Sequence, residues 1–179
     1  TWLLAESLEL ADGASGPADD ALPVWNQLAK IGQWAGHPSG RFQITAKEIG
    51  EIVRNFRATE NRKIPIDFEH ASEADPTEGS IPTDGAPAQG WIIDLQDRGD
   101  AGLWGLVEWL PKAREYVRSK QYRFFSPAIR FNSRDRVTAA NIGARMTSGA
   151  LTNNPFLDGM AEMAASDKES TVLAAAYAH

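Results

Sequence analysis

A strand that contains a proline cannot be bonded regularly on both sides, because proline has no N–H to give to the ladder. The run Tyr122-Arg-Phe-Phe-Ser-Pro-Ala-Ile-Arg-Phe131 is such a strand, rich in aromatic and β-branched residues and preceded by a helical-looking stretch at 112–120. Pro127 therefore places it at a sheet edge, or in a bulged or distorted position. One small hydroxyl, Ser126, sits at that irregularity. It either completes a turn or points its Oγ out of the sheet into a cleft. A second stretch, Ile64-Pro-Ile-Asp-Phe-Glu-His70, ends in a histidine that such a serine needs as a partner.

Composition narrows the chemistry. The chain has no cysteine, which excludes disulfides, zinc–thiolate sites and cysteine nucleophiles, and is compatible with a reducing cytoplasm. A net charge of −6 argues against nucleic acid as the main partner. No apolar run is long enough to cross a membrane, and no signal-peptide pattern is present. A length of 179 residues suits one domain with a sizeable core, or one domain and a tail. A fragment is expected from Thr1 in place of an initiator methionine and from an end at His179 after an alanine-rich run.

Along the chain, residues 2–10 read as a first strand and 11–22 as a loop. Residues 24–31 fit a strand or a short helix, and the glycine-punctuated 32–40 carries His37. Phe42-Gln-Ile44 is extended. Thr45-Ala-Lys-Glu48 has capping-box spacing, with Ile49, Ile52, Val53 and Phe56 following at helical intervals. Residues 63–68 form a strand with Pro65 at an edge or at its start. Residues 71–89 are a long polar loop, of a length that is often functional. Residues 91–96 and 103–109 flank a hairpin turn that contains an Arg-Gly-Asp tripeptide, to which we assign no adhesive role. Pro111 opens a helix. Two further strands are expected, at 137–146 and from Ser148 to a turn at Pro155. A helix is expected beyond Gly159, and a loose tail at 166–179. The expected fold is α+β: a β-rich, barrel-like mixed sheet with a few surrounding helices.

Three histidines are present, and His179 is terminal. His37, between Gly36 and Pro38, reads as a surface turn residue. His70 lies where a strand meets the long polar loop, a place from which a ring reaches a cleft. In a regular strand both Asp67 and Glu69 face away from His70, so a direct Asp67–His70 pair needs a bend in the chain. The sharpest reading is a nucleophilic pair in which Ser126 attacks a carbonyl and His70 takes its proton. A lesser one is a hard-cation site built from Asp67, Glu69 and His70 with Glu73 or Asp75. It lacks both paired histidines and an EF-hand pattern. No Gly-x-Ser-x-Gly elbow and no phosphate-cradling glycine loop is found. The tryptophans read as packing residues.

Four segments carry a likeness to a known family: 32–40 with Phe42-Gln-Ile-Thr45; Ile64-Pro-Ile-Asp-Phe-Glu-His70; Gly90-Trp91 with Leu103-Trp-Gly-Leu-Val-Glu-Trp109; and Tyr122-Arg-Phe-Phe-Ser-Pro-Ala128 with Ala150-Leu-Thr-Asn-Asn-Pro155. In that order the chain resembles the Mu-like phage I protein, a capsid-maturation protease whose longer form also supplies the internal scaffold. More distantly it resembles tailed-phage prohead proteases and herpesvirus assemblins. The resemblance implies a barrel-like fold with a serine nucleophile, matched by Ser126, and a histidine base, matched by His70. The third member of the related sites falls at Ser148, which offers a hydrogen bond but no charge. Asp67 is the other candidate, and a simple dyad remains open.

The likeness implies a serine endopeptidase that cuts capsid and scaffold polypeptides during prohead maturation. It would use no cofactor or metal, and would work inside the assembling prohead in the bacterial host cytoplasm, with self-association as a further expectation. The competing class is a catalytically inactive scaffold or assembly module of the same fold. Residues 1–160 are then the protease domain, and 161–179 a tail or linker towards a missing scaffold region. The small residues Ala164-Ala165-Ser166 mark a candidate self-release site. Asn153-Asn154 is a candidate source of oxyanion N–H groups.

Overall fold

Alternating apolar residues on either side of a glycine turn build the most regular part of the molecule, the hairpin of β5 (Gly90–Asp97) and β6 (Leu103–Trp109). Gly102 closes the turn at φ +80°, where a β-carbon would come within 2.2 Å of the Ala29 carbonyl oxygen, so only glycine fits. The computed structural model describes residues 21–73 and 85–176. The strand expected at 2–10, most of the loop at 11–22, the middle of the loop at 71–89, and His179 lie outside these residues.

Around the hairpin stand β1 (Val24–Ala29), β4 (Ile64–Phe68), β7 (Phe124–Arg134) and β8 (Asn141–Thr152), in the sheet order β1-β6-β5-β4-β8-β7. The β4–β8 pairing is parallel and the others antiparallel, so the sheet is mixed. It curls into a half-barrel whose two edges, β1 and β7, approach each other. β2 (Gly32–Trp34) and β3 (Phe42–Ile44) form a separate two-stranded ribbon. Helix α1 (Ala46–Arg57) buries Ile49, Ile52, Val53 and Phe56 against the sheet. Its expected capping box is present: Thr45 Oγ1 accepts from the Lys47 N–H at 3.2 Å, and Glu48 Oε2 accepts from the Thr45 N–H at 2.8 Å. Helix α2 (Pro111–Arg118) begins at the expected proline. The α+β, barrel-like expectation holds.

Both prolines fall where the ladder has a gap. β7 is a terminal strand, as Pro127 requires. Pro65 is the second residue of β4, and the parallel pairing with β8 starts only at Ile66. Residues 24–29 are a strand rather than a helix.

Three expectations need correction. The two strands expected around Thr147 are one continuous β8. Ala128 pairs with Ser148 and Ile129 with Met146, which leaves Thr147 as an extra, bulged residue. Within β8, Gly149 serves packing: a β-carbon would sit 2.1 Å from the ring of fully buried Phe125. Residues 160–166, expected to be helical, run without regular structure and bury Met160, Ala161, Met163, Ala164 and Ala165. Side chains of the domain satisfy this backbone, so no helix is needed to do so. Asn26 accepts from the Ala164 N–H at 2.7 Å, while the Trp109 indole and the Arg114 guanidinium donate to the carbonyls of Ala164 (3.0 Å) and Ala165 (2.9 Å). Ala164 and Ala165 are thus held in the folded body, which does not present their bonds for cutting. The stretch expected as a loose tail contains α3 (Asp167–Ala176). Its start carries a capping signal, Ser166-Asp-Lys-Glu169, in which the Glu169 N–H donates to Ser166 Oγ at 3.4 Å.

The clamp on residues 161–165 gives a test. Asn26 is 2% exposed and also donates to the Ala164 carbonyl at 3.2 Å, so Asn26→Ala leaves buried backbone groups unpaired. A loss of about 1–3 kcal/mol in urea unfolding is expected, with faster amide exchange at 161–165. Unchanged exchange there would contradict the clamp.

Candidate functional site

Period-two alternation aims the serine. Phe125 is fully buried under the sheet, so its neighbour Ser126 faces the opposite side. There it lines a groove of about 510 Å³, together with His70, Glu73 and Arg130. Ser126 and His70 are both half-buried, neither sealed in the core nor free in solvent.

His70 arrives by a sharp bend. β4 ends at Phe68, and Glu69 and His70 follow with φ of +54° and +59°, two consecutive residues in the left-handed region that side chains normally avoid. Strand alternation stops at this bend. The Glu69 N–H still reaches the Leu151 carbonyl (3.1 Å), and a short 3₁₀ turn, Ala71–Glu73, comes next. Asp67 supports the turn from below: it is 2% exposed, and its Oδ2 accepts from the Ser72 N–H at 2.7 Å. Its other oxygen, Oδ1, is buried with no hydrogen-bond partner. Glu69 takes the Thr152 hydroxyl at 2.9 Å. No group of three or more metal-ligating side chains is assembled among the described residues, and Asp75 lies outside them.

The acid beside His70 is Glu73, which the sequence pointed to only as a metal ligand. Its backbone N–H donates to the His70 carbonyl at 3.0 Å. Its Oε1 accepts from both Ser148 Oγ (2.6 Å) and Thr147 Oγ1 (2.9 Å), and Arg130 Nη2 stands 3.6 Å from Oε2. Adjacent strand residues normally face opposite sides. The bulge at Thr147 lets these two hydroxyls converge on one oxygen. Burial pushes the Glu73 carboxyl up, but the Ser148 and Thr147 hydrogen bonds, with the charges of Arg130 and His70, outweigh it and hold the group below its ordinary range. Ser148 itself is 2% exposed and does not line the groove. It reaches the site through the glutamate.

The far wall is aromatic. His37 packs edge-on against Phe42 and Phe156, with ring centroids 5.6 and 4.7 Å away, and its Nδ1 accepts from the Ser39 N–H at 3.1 Å. It opens a turn, as read, its carbonyl accepting from the Gly40 N–H at 2.9 Å, and it also lines the groove, a placement that depends on the long-range contact with Phe156. Asn153 and Asn154 do not line the groove. Asn153 ties its turn to Gln121 and Arg123, and the Asn154 N–H is taken by Thr152 Oγ1. The site therefore offers a primary hydroxyl, an imidazole, an ionised carboxylate and two arginines, Arg41 and Arg130, in one open groove. That set suits acid–base-assisted nucleophilic attack. Among the described residues the hydroxyl and the ring are not hydrogen-bonded to each other, a looseness common in unliganded sites.

The family model of the Mu-like prophage I protein, N-terminal domain, matches residues 26–164, well over half of the chain, and the protein belongs to that family. It is thus a phage-related protein. No curated protein and no solved structure matches it. Among the described residues no helix is long and apolar enough to cross a membrane.

The lowered carboxyl of Glu73 has a pH signature. A group depressed by the fold stabilises it above the ordinary carboxylate range, and that contribution fades as the pH falls through the folded value. Because Glu73 is partly exposed, we expect Glu73→Gln to cost only about 0.5–1 kcal/mol at neutral pH, with the gap closing on acidification. Urea midpoints of both proteins between neutral and acid pH measure it. A gap that persists unchanged in acid would contradict the assignment.

Proposed function

We propose that this member of the Mu-like prophage I protein family is a serine endopeptidase acting on capsid and scaffold polypeptides during prohead maturation, in the host cytoplasm. The observation that carries the reading is the convergence of Ser126 and His70, distant in sequence, on one open groove. An inactive scaffold of the same fold has no need to gather a half-exposed hydroxyl and a half-exposed imidazole in one groove.

In this reading Ser126 Oγ attacks the scissile carbonyl carbon while His70 accepts the hydroxyl proton. The tetrahedral adduct collapses, the C–N bond breaks, and His70 returns the proton to the leaving amine. Water then repeats the sequence on the acyl-serine, with His70 again as base, and frees the acid. Pro127 has no N–H, so the oxyanion must be met by other backbone donors. The chemistry requires no cofactor. An extended peptide has a natural seat along the outer edge of β7, where a substrate strand pairs next to Ser126.

The test incubates the protein with capsid and scaffold polypeptides. Intact mass should show processing by the wild type, and none by Ser126→Ala or His70→Ala, with both variants melting within a few degrees of wild type. Processing by Ser126→Ala at the normal rate would require another nucleophile. A wild type that is inert towards itself and towards capsid polypeptides would favour the scaffold alternative.

A further inference from the structure

We propose that Glu73 is the positioning residue of this site: its carboxylate, fixed by Ser148 and Thr147, orients the His70 ring and stabilises the imidazolium that forms as Ser126 attacks. The inference rests on the serine endopeptidase reading and adds the anion which that reading leaves unassigned. The sequence offered Ser148 and Asp67 for the place. Ser148 is neutral and points at Glu73. Asp67 spends one oxygen on the Ser72 N–H, lies beneath the turn, and does not line the groove.

Glu73 meets the requirements that these two fail. It lines the groove with His70 and Ser126, and its backbone is bonded to that of His70, so the two residues move as one turn. Its carboxylate has a defined position, because two hydroxyls from the bulged segment of β8 grip one oxygen. A charged group held by preformed hydrogen bonds acts on a neighbouring cation without having to reorganise at the moment of reaction. The other titratable or charged groups lining the groove are His37, Arg41 and Arg130. Arg130 lies 3.6 Å from Glu73 Oε2 on a side chain that is 66% exposed, a weak competitor that a bound substrate can displace. Glu69, next to His70 in the chain, is exposed and engaged with Thr152. Among the described residues Glu73 is therefore the one acid in the groove lining. The short path from His70 to Glu73, within one 3₁₀ turn, makes the pair a local unit that a single bend delivers to the serine.

The experiment measures the rate at which a fluorophosphonate modifies Ser126 in the whole protein, followed by intact mass and peptide mapping. The probe needs an activated serine but no knowledge of the natural cleavage sequence. Glu73→Gln, which keeps size and hydrogen bonding but removes charge, should slow modification about tenfold or more. Glu73→Asp should recover a substantial part of the rate, which a purely structural role would not predict of the shorter acid. Ser148→Ala should give a smaller loss, since it loosens the carboxylate without removing it, and it serves as the deciding variant should Glu73→Gln fail to fold. Modification of Glu73→Gln at the wild-type rate, or of Ser148→Ala where that variant decides, overturns this inference and leaves the endopeptidase reading standing. A wild type that is not modified at Ser126 overturns both.

Discussion

The site depends on one row of the sheet. Ala150 of β8 is opposite Asp67 of β4 on one side and Ser126 of β7 on the other, so the three residues lie side by side. Leu151 does the same for Phe68 and Phe125. The parallel β4–β8 pairing is what makes this possible. It runs β4 in the direction that delivers its C-terminal bend, with His70 and Glu73, to the sheet end where Ser126 sits. Had β4 run the other way, the same residues would end up at the opposite end of the strand. The row is also kept narrow by small residues. Gly149 leaves room for the Phe125 ring beneath β8, which anchors β7 and turns Ser126 to the groove, while Ala150 stands opposite Ser126 on the other face.

Two local irregularities then complete the constellation, each at a cost that the surrounding structure must offset. Left-handed backbone at a residue with a side chain costs roughly 1 kcal/mol or more, and Glu69 and His70 adopt it consecutively. The bend is braced by Asp67 below, through the Ser72 N–H, and by the Glu69 N–H bonded to Leu151. The bulge at Thr147 is braced by Glu73, which gathers the two hydroxyls the bulge brings to one side. Bend and bulge thus face each other across the β4–β8 seam and share a single carboxylate. Strain of this kind collects at sites where a regular strand would point the wrong groups away.

What the sequence made legible was local. The capping box at Thr45, the hairpin of β5 and β6, and the edge position of the strand bearing Pro127 each stem from short-range chemistry, and each is found. Ser126 and His70 stand out because a hydroxyl at a strand irregularity and a histidine at a strand end are visible within a few residues. The rest needed partners far along the chain. The packing role of Gly149 is not visible in the sequence, because its reason, the Phe125 ring, comes from another strand. Residues 160–166 resemble a helix because alanine and methionine favour one, while Asn26, Trp109 and Arg114 take up the backbone instead. Glu73 is inconspicuous in a polar loop, since two positive-φ residues and a bulge on a distant strand decide where its carboxylate points. The Ser166…Glu169 capping signal was within reach of sequence reading, and the alanine-rich run after it is good helix-forming material.

Whether one groove brings the Ser126 hydroxyl, the His70 ring and the Glu73 carboxylate into a working line is tested most directly by a crystal structure of the protein carrying a covalent phosphonate. The predicted result has phosphorus bonded to Ser126 Oγ, a His70 ring nitrogen within about 3 Å of the adduct or of Oγ, and Glu73 still held by Ser148 beside the ring. An adduct on another residue would contradict the account. So would His70 turned out of the groove with Ser126 modified.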